Sequence, residues 1–305
     1  MTTAPRGMRV SLHLNSHVQR ASDIRLDLRR TAVRADQAGV SALALMDHFL
    51  HPAPQPTTDT VLEGYTALGF LAASTEFMDL MLLVSGVTHR HPVLLAKSVT
   101  TIDVLSGGRA RLGIGAGWFE AENHAYGMPF PSAGERFTML EETLEIIRLL
   151  WSSSDGPYTG EHFQLHSTTW SPMPIRPGHP PIIIGGNGRR QTLRLAAKYG
   201  DGCNILVGPD MGGIDEARSL ISTLHEHCIA IDRDPADVGI SILFTAPIPT
   251  GRDGAEQFAA EMHGYAELGV SEVFVMPLGK PDVPGFIDEL GTTIIPAVAQ
   301  ATADI

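Results

Sequence analysis

The stretch 181-PIIIGGNGRRQTLRLAAKYGDGCNIL-206 decides the fold. Pro181–Ile184 is a short apolar run, as expected of a strand covered on both faces. The turn Gly185-Gly186-Asn187-Gly188 breaks it, a helix is expected over Arg189–Tyr199, and a second strand over Gly202–Leu206. Strand, helix and strand joined by short connections imply parallel pairing.

The same rhythm extends in both directions. Upstream, Met8–Leu14 (MRVSLHL) reads as the first strand. Ser22 or Asp23 can cap a helix reaching Ala38, with Ile24, Leu28, Ala32 and Ala35 on one face and Gly39 as its C-terminal stop. Ser41–Met46 is the second strand, followed by a helix over 59–74, and Phe77–Val84 is the third. Pro92 opens a helix that ends near Ser106-Gly107-Gly108, and Ala110–Ile114 is the fourth strand. Residues 118–133 read as a Gly- and Pro-rich loop, then a helix over Gly134–Trp151 and a hairpin over Tyr158–His166. Downstream lie helix 213–231, strand Val238–Phe244, helix 253–267, strand Glu272–Met276 and a last helix after Pro284. Eight βα units favour closure, so the expected fold class is α/β: a single (β/α)8 TIM barrel over residues 1–305, with an insertion after strand four at about 118–179. A doubly wound open sheet is the alternative.

The 305 residues suit one barrel, and 43% hydrophobic with 18% charged residues is a globular composition. A formal net charge of −12 disfavours nucleic acid and anionic membrane as partners, but leaves room for an anionic ligand at a local positive site. Cys203 and Cys228 form no CxxC pair, so neither a disulfide framework nor a structural zinc site is expected. The N-terminal residues do not read as a secretory signal, and no run of about 18 apolar residues appears. The expected location is the cytoplasm.

In a barrel, functional groups gather where strands end. The second strand ends in Asp47-His48, a carboxylate beside an imidazole that can exchange protons near neutral pH. The plainer role for the pair is a cap and a loop histidine. The third strand ends in Leu83-Val84-Ser85-Gly86, where small residues let a flat ligand approach, and His89-Arg90-His91 follows. His-x-His invites a metal, but the later strand ends offer no further histidine, so no metal is expected and His91 reads as the cap of the helix begun by Pro92. The fourth ends in Gly115-Ala116-Gly117-Trp118, whose indole can stack on an aromatic ligand or pack under a loop. Gly185, Gly186, Asn187 and Gly188, leading into a helix beginning Arg189-Arg190, read as an anion site built from backbone N–H groups.

Read together, Gly107-Gly108-Arg109, Gly113 through Glu120 (GIGAGWFE), Glu135-Arg136-Phe137 with its helix to Trp151, Asp47-His48-Phe49, Arg90-His91-Pro92 with Lys97, and Ile184-Gly185-Gly186 resemble the bacterial luciferase-like monooxygenase superfamily. The matches span about residues 8–206, and the chain looks closest to the branch that uses the deazaflavin coenzyme F420. The resemblance implies an F420-dependent oxidoreductase acting on a small molecule, often a homodimer. It implies a tricyclic ring in the barrel mouth, a phosphate tail near Gly185–Gly188, and a non-proline cis peptide at Leu83-Val84. Carried over, Asp47 contacts the cofactor and His48 faces the substrate as its acid or base. Leu83, Val84 and Ser85, with Gly115 through Trp118, complete the expected cofactor contacts.

The chain departs from the glucose-6-phosphate pattern of that branch. Trp118 stands where a glutamate is expected, Leu50-His51-Pro52 lacks the aromatic residue that follows the Asp-His pair, and Met81-Leu82 replaces Gly-Thr. That substrate is therefore not assigned. Rim loops at 15–21, 49–58, 118–133 and 152–179 are expected to set specificity. The alternatives are an FMN-dependent monooxygenase fed reduced FMN by a partner reductase, and a non-catalytic flavin carrier.

Overall fold

The computed structural model describes residues 7–14, 23–52, 60–280 and 282–305. The elements in chain order are β1 (Arg9–Leu14), α1 (Ile24–Gln37), β2 (Ala42–Leu45), α2 (Gly64–Ala72), β3 (Asp79–Leu82), β4 (Ser85–Gly86), α3 (Pro92–Ser106) and β5 (Leu112–Gly115). Next come α4 (Glu120–Ala125), α5 (Ala133–Trp151), the hairpin β6 (Tyr158–Thr159) and β7 (Gln164–Leu165), β8 (Ile182–Gly185), α6 (Thr192–Tyr199), β9 (Gly202–Val207) and α7 (Gly213–Ile229). The chain finishes with β10 (Gly239–Phe244), α8 (Gly251–Ala266), β11 (Val270–Val275), α9 (Val283–Glu289) and α10 (Ile295–Ala301).

The main sheet is parallel throughout, in the order β3-β2-β1-β11-β10-β9-β8-β5-β4. Its two ends are pieces of one strand. β4 pairs with β5, and a parallel bridge from Leu80 to Ala110 ties β3 to the same neighbour. The eight expected strand positions are therefore all occupied, and the barrel closes through the divided third strand. The peptide between the two pieces, Leu83–Val84, is cis.

Side chains alternate along β1 as a barrel requires. Val10, Leu12 and Leu14 face the helices, while the Ser11 hydroxyl donates to Glu272 inside. The interior is layered. At the N-terminal end, Arg111 is buried between Asp79 (2.6 Å) and Glu272 (2.7 Å), and Arg9 reaches Glu272 at 3.1 Å. Above this plug the interior is filled by one apolar cluster of Ala42, Ala44, Met81, Leu83, Leu243, Phe274 and Met276. Met81, one of the departures noted above, is thus a filler of the barrel interior.

Several expectations are corrected. The third strand begins at Asp79, not Phe77, because the Asp36 carboxylate takes the N–H groups of Glu76, Phe77 and Met78 and turns the chain outward, leaving Phe77 77% exposed. The helix expected over 59–74 starts at Gly64, where the Glu63 carboxylate caps the N–H groups of Tyr65 and Thr66. Residues 53–59 lie outside the described ones, as does Ser22. Asp23 occupies the N-cap of α1 but makes no side-chain capping bond. The supposed loop 118–133 contains α4. Finally, α6 begins at Thr192 rather than Arg189, since Arg189 is drawn to α7 by Glu216, Ser219 and Thr223. The cap on α3 is as expected: His91 Nδ1 accepts the N–H of Val93. No helix among the described residues is long and apolar enough to cross a membrane.

Candidate active site

A cavity of about 550 Å³ opens where the barrel strands end. That is ample for a flat multi-ring ligand, whose pockets typically run about 300–1,000 Å³. Of the residues singled out in the sequence, Asp47, His48, Leu83, Val84, Ser85, Ala116, Gly117, Trp118, Gly185 and Gly186 line it. Gly115, Asn187 and Gly188 do not. Gly115 is needed for packing instead, because a Cβ there would sit 3.1 Å from Val84 Cγ2.

His48 is held from the far side of the cavity mouth. Its Nδ1 lies 3.1 Å from Oε1 of Glu122, which α4 delivers with its side chain 0% exposed. The other oxygen of Glu122 accepts the N–H groups of Phe49 at 2.5 Å and Leu50 at 2.8 Å. Burial pushes the Glu122 carboxyl up, but the bonds from His48, Leu50 and Phe49 outweigh it and hold it below its ordinary value. An ionised carboxylate only accepts, so Nδ1 of His48 carries the proton and Nε2 is left for the cavity. Trp118 and Phe119 meet the imidazole edge-on, each at 5.6 Å, and stack on each other at 5.2 Å.

Asp47 is already engaged. Arg90 forks onto it with bonds of 2.6 and 2.8 Å, and the Gly86 N–H donates at 3.3 Å. Arg90 continues to Glu63 and lies over the Tyr65 ring, while the Tyr65 hydroxyl is bonded to Ser85 at 2.7 Å. Burial pushes the Arg90 guanidinium down, yet the bonds and charge of Asp47 carry it above its ordinary value, so Arg90 stays cationic. His89 sits between the two acidic groups, 3.5 Å from Asp47 and 3.5 Å from Glu122.

Two polar groups come from strands whose ends carried no sequence signal. His13, on β1, is 5% exposed and lines the cavity, and neither ring nitrogen has a partner among the described residues. Burial, helped by the neighbouring His48, pushes its imidazole down to about 4. Asn204, on β9, lines the same floor and donates to Ser241 at 3.0 Å.

The glycine turn after β8 is only partly as expected. The Gly186 N–H donates to the carbonyl of Asn204, so it is a rung of the barrel and not a free anion donor. Arg189 is committed to Glu216 at 2.6 Å. The Asn187 side chain staples the turn to β9: its amide donates to the Leu206 carbonyl at 2.9 Å, and its oxygen accepts the Leu206 N–H at 2.8 Å. The main-chain N–H groups of Asn187 and Gly188 have no acceptor among the described residues, so they are the donors open to an anion.

Glu122, His13 and Arg90 were missed as functional candidates, and His89 was weighed only as a metal ligand. Glu120 and Glu122 fall in the first turn of a helix, an acidic N-terminal signal that separates α4 from loop. His13 sits at a strand's C-terminal end, where the barrel rule applies as it does to Asp47-His48. Among the described residues, no cluster able to hold a metal ion occurs.

The luciferase-like monooxygenase family model matches residues 8–282. An uncharacterized protein of Mycobacterium tuberculosis is 32% identical over 238 residues, covering 76% of each chain. The F420-dependent glucose-6-phosphate dehydrogenase of Kineococcus radiotolerans is 31% identical over 239 residues, covering 71% of this chain and 67% of its own. Among solved structures, an F420-dependent secondary alcohol dehydrogenase in complex with an F420-acetone adduct superimposes with a TM-score of 0.78 at 18% identity, over 96% of this chain and 99% of that one. At that identity the likeness speaks for the barrel.

Proposed function

The chain belongs to the luciferase-like monooxygenase family, and from that premise we propose that it is a coenzyme F420-dependent oxidoreductase whose cofactor and small-molecule substrate share the cavity at the barrel mouth. The observation that carries this reading is the His48–Glu122 pair opening onto an apolar cavity with a glycine rim. The 31% identity to an F420-dependent dehydrogenase supports the deazaflavin over FMN.

The residues present fit such a cofactor. Leu83, Val84, Leu243 and Met276 offer apolar surface for a flat ring, and Gly117, at φ +76°, has no atom closer than 3.5 Å to a built Cβ. The free N–H groups of Asn187 and Gly188 suit an anionic tail. When bound, the deazaflavin supplies or accepts one hydride. His48 manages the accompanying proton at Nε2, and Glu122 fixes its tautomer and steadies the imidazolium as it forms. Phe119, Phe137 and Trp118 narrow the mouth and limit water. Asp47 acts through Arg90 and Gly86, holding the end of β4 beneath the site.

Titration of the purified protein with F420 and with FMN tests the reading. F420 is expected to bind at least about tenfold more tightly, a difference of about 1.4 kcal/mol. Tighter FMN binding, with oxygen uptake when reduced FMN is supplied, would replace it with the monooxygenase alternative.

A further inference from the structure

We propose that His13 is a substrate-contacting residue that holds the reacting oxygen opposite His48, and that the substrate is an uncharged alcohol or carbonyl compound with an apolar body. The inference rests on the reading of this cavity as an F420-dependent active site.

Three observations lead there. The first is position. In the barrel order, β1 stands directly across the mouth from β8, so His13 faces the Gly185-Gly186 rim. A cofactor lying along Ala116, Gly117, Gly185 and Gly186 leaves the remaining space between His13 and His48. The ring of His48 is close enough to disfavour charge on His13.

The second is an unmet demand. A neutral imidazole carries one donor and one acceptor, and both are buried here without a partner among the described residues. Buried polar atoms in native proteins are nearly always paired, so an exception facing a ligand cavity points to the ligand. A hydroxyl or carbonyl oxygen on that ligand meets the demand of one ring nitrogen. Ser11, two residues earlier on the same interior face, satisfies itself on Glu272; His13 has no such group within reach.

The third is charge. His13 stays neutral down to about pH 4, and the fixed charges at the cavity wall are the carboxylates of Asp47 and Glu122. Among the described residues no lysine or arginine lines the cavity. A carboxylate or phosphate on the reacting end of a substrate would lose its water with no counter-charge to replace it. The rest of the wall near the histidines is Met46, Pro52, Leu243, Met276 and the Trp118–Phe119 stack, which suits hydrocarbon.

The test uses wild type, His13→Leu and His13→Gln. F420 affinity is measured first. Neutral secondary alcohols from propan-2-ol to cyclohexanol, and carboxylates of matched size, are then titrated into the F420-loaded and the F420-free protein, following the fluorescence of Trp118 at the cavity mouth. Wild type is expected to bind a neutral alcohol at least about tenfold more tightly than its carboxylate match. His13→Leu is expected to lose about tenfold or more in alcohol affinity, the cost of one hydrogen bond to a buried group, while keeping F420 affinity and thermal stability. His13→Gln, which retains a neutral donor and acceptor, is expected to recover most of the loss. Equal alcohol binding in wild type and His13→Leu overturns the proposal. So does loss of F420 affinity in His13→Leu, which would make His13 a cofactor contact. Carboxylates that bind as well as alcohols, or no saturable alcohol binding in wild type, overturn the substrate class. Failure of wild type to bind F420 sinks the parent reading instead, and the F420-free titrations then decide on His13. If His13→Leu does not fold, loss of alcohol binding in His13→Gln overturns the proposal.

Discussion

Replacing Glu122 by glutamine tests the central pair with almost no change of shape. The carboxylate accepts from three groups: Phe49 N–H, Leu50 N–H and His48 Nδ1. A carboxamide has one accepting oxygen and one donating nitrogen. The two backbone N–H groups converge on one oxygen of Glu122, so the amide oxygen of glutamine goes there. Its NH2 then faces Nδ1 of His48, which can bond to it only as an acceptor. The proton must move to Nε2, and the nitrogen offered to the cavity changes from acceptor to donor. A hydrogen bond to a charged group is worth about 1.5–3 kcal/mol and a neutral one about 0.5–1.5. The two backbone bonds therefore weaken by about 1 kcal/mol each, and the inverted bond to His48 adds a similar loss, giving about 2–4 kcal/mol in all. Urea unfolding reads that loss. Nitrogen NMR of histidine-labelled protein reads the tautomer, with a His48 variant to assign the signal. Any turnover supported by His48 as base should fall by about 10²–10⁴-fold, the usual range for general acid–base catalysis. A variant with Nδ1 of His48 still protonated and stability within about 0.5 kcal/mol of wild type would refute the argument.

Three further outcomes follow from other parts of the molecule. The folded pKa of His13, about 4, lies below the unfolded value of about 6.5, so its contribution to stability is complete above pH 6.5 and is lost as pH falls toward 4; this caps the loss at about 3 kcal/mol, and urea unfolding across that window should show a flatter curve for His13→Leu. Glu272→Ala leaves the buried Arg111 with Asp79 alone and should cost about 3–5 kcal/mol by urea unfolding, with F420 affinity of the folded fraction unchanged because the plug lies at the opposite end of the barrel. Asn187→Ala removes both bonds to the Leu206 main chain and should weaken F420 binding by about tenfold, read by fluorescence titration; an unchanged F420 affinity would refute the role of this turn in holding the anionic tail.

The barrel was legible because each strand is a local signal. Ile182–Ile184 and Leu43–Leu45 are apolar runs cut off by Gly185 and by Asp47-His48, and those edges survive in the structure to within a residue or two. The helical stripe Ile24, Leu28, Ala32 and Ala35 is buried as its spacing requires. Misjudged boundaries belong to residues whose partners are remote. Asp36 reaches forward to Phe77, 41 positions away, and Arg189 to Glu216, 27 away. The site failed in the same manner. Glu122 touches His48 across 74 positions, and nothing local to residues 118–133 says that a short helix will aim a carboxylate there. His13 was hidden differently: in MRVSLHL it reads as one polar position of an alternating strand, and only the interior layering shows that Ser11 is satisfied and His13 is not.

The adjacent residues Asp47 and His48 show why one local motif carries two separate jobs. At a strand end the chain still alternates, so neighbouring side chains leave in different directions. Asp47 turns into the wall, where Arg90 occupies both of its oxygens and a third bond ties it to Gly86 at the break in the third strand. Removing that carboxylate would strand a buried guanidinium. His48 turns toward Glu122, whose remaining capacity is spent on the two residues that follow His48 in the chain. The loop that begins at Phe49 and the imidazole that faces the cavity are thus fixed by one buried side chain. Under the proposed function, acid–base chemistry in this cavity falls to His48, and Asp47 contributes by holding β4 at the cavity wall.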